Sequence, residues 1–153
     1  MRKFSLLFAL VLFMVSCGSD SQSYQIVFHG VPDEGGSEIF VMNADGTNVR
    51  QLTSTEYDNF WASWSPDGTQ IAFTSDRGRG TEIYLMDADG TNVRQLTKTN
   101  FESFRPVWSP DGNQIAFSID QGASGIANIF IMNADGSGAY STGQQGVVGD
   151  WKN

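Results

Sequence analysis

Cysteine and histidine each occur once in this sequence, as Cys17 and His29, and 9 basic side chains stand against 17 acidic ones. A lone cysteine excludes an internal disulfide. A lone histidine excludes a metal site built from several imidazoles. The acid excess excludes binding to nucleic acid by neutralising backbone phosphates. No apolar run reaches the roughly 20 residues that a bilayer-crossing helix needs; the longest, Phe4 to Val15, stops well short. A Gly-x-Ser-x-Gly nucleophile motif is also missing, so a hydrolase triad has no support. Neither enzyme activity nor a cofactor is expected, and His29 reads as a residue at a strand end.

The first 16 residues have the parts of an export signal, with Arg2 and Lys3 ahead of that apolar run. Val15-Ser16-Cys17, followed by Gly18, Ser19 and Asp20, resembles the lipobox of bacterial lipoproteins. The resemblance implies cleavage before Cys17, a lipid on that residue and a periplasmic protein anchored to a membrane. The lack of aspartate directly after Cys17 resembles outer-membrane sorting signals. An ordinary secretory signal with an incidental cysteine is the other reading of the same residues. Residues 17–23 then form the lipidated cysteine and a linker, "GSDSQS", spanning on the order of 20 Å at about 3.3 Å per residue. Residues 24–153 amount to one domain. Setting aside Arg2 and Lys3 leaves seven basic groups against 17 acidic ones.

What the chain does contain is repetition. "WSPDGTQIAFTSD" from Trp64 returns as "WSPDGNQIAFSID" from Trp108, forty-four residues on. "MNADGTNVRQLT" from Met42 returns as "MDADGTNVRQLT" from Met86 at the same spacing. "EIFVMNADG", "EIYLMDADG" and "NIFIMNADG" end at Gly46, Gly90 and Gly136. "IVF" at Ile26 matches "IAF" at Ile71 and Ile115. A fixed period in this range marks a repeat architecture. Each unit reads as four antiparallel strands, a to d. "FWASW" or "RPVWS" leads through Ser-Pro-Asp-Gly, a tight-turn sequence, to "QIAFTS"; "EIYLMD" leads through Ala-Asp-Gly to "NVRQLT".

The acidic turn also invites a calcium reading, which fails on ligand positions. An EF-hand loop needs an oxygen ligand at position 1 and a bidentate glutamate at position 12, with glycine at 6. Placing Gly90 at 6 puts Leu85 and Leu96 there; Gly46 puts Val41 and Leu52. The repeated string is hairpin chemistry.

From Tyr24 to Asn153, the unit "WSPDG…IAF…IYLMDADGTNVRQLT" resembles the β-propeller repeat of TolB, of the periplasmic Tol-Pal envelope system, and related bacterial propellers. The resemblance implies an all-β fold of propeller blades. The chain holds about three units: strands b, c and d, then two complete sets, then "VVGDW", where a new strand a is due. TolB has six blades and a further α/β domain. Propellers close with about four to eight blades, so either two chains form a six-bladed homodimeric ring or the chain is a remnant of a longer protein, a peptidase among the possibilities.

The a–b and c–d turns should share one end of each blade, leaving the longer, varied b–c and d–a connections at the other, the usual place for recognition. Arg77, Arg79 and Arg105 are expected there as contact residues, and Tyr57, Phe60, Phe101 and Phe104 as aromatic anchors. Tyr57 and Phe101, like Phe60 and Phe104, lie forty-four apart, which fits packing between blades as well as binding. The function expected is a non-enzymatic scaffold binding an envelope protein; a glycan-binding propeller is the alternative.

Overall fold

A computed structural model describes residues 24–32, 35–122 and 125–152. Eleven strands form three antiparallel sheets, with no helix among the described residues. The first sheet holds β1 (Gln25–Gly30), β2 (Glu38–Asn43) and β3 (Arg50–Gln51). The second holds β4 (Asn59–Trp64), β5 (Gln70–Ser75), β6 (Glu82–Asp87) and β7 (Arg94–Gln95). The third holds β8 (Glu102–Trp108), β9 (Gln114–Asp120), β10 (Asn128–Asn133) and β11 (Tyr140–Gln145). Each sheet is a meander, so every strand pairs with its neighbour in sequence, as expected of a blade. Among the described residues the first sheet has no strand a, so β1 is its edge strand.

Turn chemistry fixes these hairpins. In the c–d turns, the carboxylates of Asp45, Asp89 and Asp135 accept the backbone N–H and hydroxyl two residues on, from Thr47 and Thr91, or the backbone N–H of Ser137. The a–b turns use Asp67 and Asp111 likewise, each also accepting the hydroxyl of Ser65 or Ser109 at 2.6 Å. These hydrogen bonds hold all five carboxyls below the ordinary range, Asp111 down to about 2. The two turn types meet at one end of the blade, where Ala88 and Ala134 N–H donate to the carbonyls of Thr69 and Asn113. Gly90 and Gly136 sit at φ 92° and 91°. A Cβ on Gly90 would stand 2.8 Å from the Leu52 carbonyl of the preceding blade, so glycine sets both the turn and the spacing between blades.

Strand alternation places the core between blades. Ile39 and Val41 of the first blade meet Ile71, Phe73, Tyr84 and Met86 of the second. The opposite face of the second, Ala72, Ile83 and Leu85, meets Ile115, Phe117, Trp108 and Met132 of the third. Thus each blade's apolar residues serve two junctions, half on either side.

Strand d is shorter than "NVRQLT" suggests: β3 and β7 each span two residues. After Gln51 and Gln95 the chain turns inward, where Thr53 and Thr97 accept the N–H of Ile39 and Ile83 and donate to the buried carboxylates of Glu38 and Glu82. A six-residue ladder would leave those two carboxylates without these donors, and burying an unpaired charge is costly. "VVGDW" forms no ladder either, because strand b of its own blade is not beside it. It nonetheless occupies the place of a strand a, as shown below.

Candidate binding face on the inner strands

The first strand of each complete blade is interrupted by a bulge. Pairing shifts between Phe60 and Ser63 in β4, and between Phe104 and Val107 in β8. At these bulges Trp61 has φ 51° and Arg105 has φ 55°. Asn48 and Asn92 also lie at positive φ, but asparagine in a turn adopts it readily. A bulky side chain in this region is an outlier, and such strain concentrates at functional sites.

The bulges aim their side chains at one another. The Trp61 ring meets Phe60 edge-on at 4.8 Å and Phe104 at 5.4 Å. The Arg105 guanidinium lies 5.7 Å from the Trp61 centroid. Its backbone N–H donates to Thr74 Oγ1 at 3.1 Å, tying the strained residue to the neighbouring blade. Trp61 is 39% exposed, and Phe60 and Phe104 are half-buried. The result is an aromatic ridge with one cation, crossing the seam between two blades.

Beside the ridge lies a depression of 460 Å³ lined by His29, Val31, Gly36, Ser37, Asp58, Phe60 and Trp61. Histidine, serine and aspartate share this wall, yet they form no relay among the described residues. Asp58 Oδ1 accepts the Ser37 backbone N–H at 2.6 Å, and no hydrogen bond joins the His29 ring to either residue. Asp58 therefore acts as a latch between the b–c loop of one blade and strand a of the next. Glu102 repeats the latch one blade on, accepting the Thr81 hydroxyl at 2.7 Å. Among the described residues, no group of three or more His, Cys, Asp or Glu is placed to hold a metal ion.

Of the residues expected at this end, Phe60, Phe104 and Arg105 come together in the ridge. Tyr57 and Phe101, 43% and 44% exposed, stand on the d–a connections rather than wedged between blades. Arg79 is exposed and lines a second depression with Phe101, Glu102 and Asp120. Arg77 turns inward instead: it donates to Asn59 Oδ1 at 2.8 Å and Ser75 Oγ at 2.9 Å, and lies 4.7 Å from the Tyr84 ring centroid. Its guanidinium is engaged within the second blade, tying strands β4, β5 and β6 together. Cys17 lies outside the described residues. Trp61 was not anticipated; the signal was its place forty-four residues before Arg105, at a position where the repeats differ in letter.

The family model described as "TolB beta propeller domain" matches residues 20–141, most of the chain. The chain belongs to the TolB beta propeller family. In the curated relatives the match is local: "Protein TolB homolog" of Chlorobium luteolum is 43% identical over 44 residues, 29% of this chain and 10% of that protein. "Dipeptidyl-peptidase 5" of Porphyromonas gingivalis is 42% identical over 41 residues, 27% of this chain and 6% of that one. Among solved structures, a TolB-like protein of Agrobacterium tumefaciens superimposes with a TM-score of 0.71 at 24% identity, over 76% of this chain and 44% of that one. The chain therefore spans less than half the length of this solved relative, and its match to the curated relatives covers about one repeat unit.

Proposed function

We propose that the chain is a non-enzymatic scaffold that binds a protein of the cell envelope through the ridge of Trp61, Phe104 and Arg105 and the loops around it. The observation that carries this reading is the pair of strained, non-glycine residues at equivalent bulges, with their side chains stacked on a partly exposed face. Tryptophan and arginine dominate protein interfaces because they desolvate large areas while retaining polar contacts. The ridge suits a protein better than a glycan. A sugar ring would need the face of Trp61 open for stacking, and Arg105 lies over that ring.

The compartment in this reading is the periplasm, with Cys17 carrying a lipid that holds the propeller at a membrane, the outer membrane on the Gly18 sorting resemblance. The TolB family membership supports an envelope setting. The local match to a dipeptidyl-peptidase supports a second origin, a propeller derived from a peptidase chain. Affinity capture from envelope extract with the wild type and with Trp61→Ala and Arg105→Ala chains tests the scaffold. Capture of one protein at stoichiometric yield, reduced at least ten-fold by either substitution, is expected; retention on a glycan array without a protein partner would sink it. Cys17→Ser should move the protein from the membrane fraction to the soluble one.

A further inference from the structure

Among the described residues the first blade has an open inner edge, and three observations define what belongs there. The first is an unused donor. Trp108 Nε1, in the strand a of the third blade, donates to the Ser63 carbonyl of the preceding strand a at 3.2 Å. Trp64 holds the equivalent place in the second blade, and its Nε1 is buried without a partner among the described residues. The missing acceptor is the carbonyl that a strand a in the first blade would supply. A buried indole N–H that gives up water and gains no acceptor is unfavourable, so an acceptor brought to Trp64 would be stabilising.

The second observation is that residues 146–151 occupy a strand-a position already. Asn59 and Ser103, which begin the inner strands, donate their N–H to the carbonyls of Ser37 and Thr81 at 2.7 and 2.8 Å. Gly146 N–H repeats this with Ala127 at 2.7 Å. Arg105 N–H donates to Thr74 Oγ1, and Val148 N–H repeats it with Ser118 Oγ at 2.9 Å. The segment is thus docked on the third blade as the first strand of a following blade, with its other edge free.

The third observation is a matched pair of open faces. Ile26, Phe28, Phe40 and Met42 point away from the second blade, the first of them 42% exposed. They repeat Ile71, Phe73, Tyr84 and Met86, the set buried at the next junction. Ile129 and Ile131, half-buried on the far side of the third blade, repeat Ile39 and Val41, the set those residues pack against.

Going beyond the binding role, we infer that a second copy of this chain fills the open edge. Its residues 146–151 pair with β1 and its Asp150 carbonyl receives Trp64 Nε1, while its Ile129 and Ile131 cover Phe28, Phe40 and Met42. The same contact made in return closes a ring of six sheets, within the range of about four to eight at which propellers close. Closure also removes the exposed edge of β1, which otherwise invites aggregation.

Light scattering on the purified chain over a concentration series, with two single variants, tests this. The wild type is expected at twice the chain mass. Phe40→Asp on one face and Ile131→Lys on the other should each lose the pair and run as folded single chains by circular dichroism. Mixing the two variants should restore the double mass, because one of the two junctions in the mixed pair is then wild type. A folded wild-type monomer at all concentrations overturns the inference, as does a pair unaffected by both variants or a species larger than two copies. Should either variant fail to fold, Trp64→Phe is the alternative probe: it should weaken pairing at least three-fold, and unchanged pairing overturns the proposed donor contact. Envelope capture through Trp61 is read separately, so either idea can fail alone.

Discussion

β4 and β8 both end on the tryptophan of "WSPDG" and make the same a–b turn, yet they live in different surroundings. β8 lies against a complete blade, and its Trp108 finds an acceptor there. Among the described residues, β4 lies against a sheet with no inner strand, and its Trp64 finds no acceptor. Identical local sequence therefore builds an identical hairpin but not an identical junction. In a propeller the hydrogen-bonding and burial of a blade are completed by the next one, so the unit of folding is the seam as much as the sheet.

The difference between sealed and open sides is broken most sharply by phenylalanine. Phe117→Ala removes a side chain that is 1% exposed at a complete junction and should cost about 3–5 kcal/mol in denaturant unfolding. Phe28→Ala removes its counterpart from the open face and should cost less than about half of that, measured below any concentration at which chains associate. Equal losses would mean that the open face is as well packed as the closed one.

A smaller effect sharpens the comparison of the two tryptophans. Trp108→Phe takes away the hydrogen bond to Ser63 as well as part of the ring and should destabilise the single chain by about 1 kcal/mol more than Trp64→Phe, which removes a donor that had no partner. Thermal unfolding of both variants at low concentration measures the gap, and a reversed order would remove the case for an orphaned indole.

The smallest effect concerns the end of the molecule that does not differ between blades. Asp111, lowered to about 2 by the Ser109 hydroxyl first and then by Asn113, contributes stability that is present above the unfolded value near 3.8. As pH falls from about 4 towards about 2 that contribution is lost, because protonation breaks the turn's acceptor. Asp111→Asn should flatten the acid limb of the unfolding profile within that window, leaving the profile above pH 5 parallel to that of the wild type.

Turns, strand types and period were legible because each rests on local chemistry: proline and glycine at fixed turn positions, alternating apolar residues, aspartate two residues before a hydroxyl. The calcium reading failed at Leu85 and Leu96 for the same reason, and the structure shows what Asp89 does instead. Positions fixed by neighbouring blades were not legible. Nothing in the letter tryptophan announces a left-handed backbone at residue 61, since the bulge arises where β4 must bend against β5 while facing β8. Arg77 looked like a surface cation because its partners Asn59, Ser75 and Tyr84 converge only when strands a, b and c stand side by side. Strand d looked longer than it is because the burial of Glu38 and Glu82, which draws Thr53 and Thr97 inward, is a tertiary demand.

A chain that writes twelve residues almost twice gives two hairpins the same instructions, so one could take the other's place during folding. The buried seam behind them carries different wording. Glu38 accepts from Asn59, which Arg77 braces; one blade later Glu82 has no such amide, and Ser103 turns to Thr99. These few side chains serve as an address, telling each hairpin which neighbour is its own.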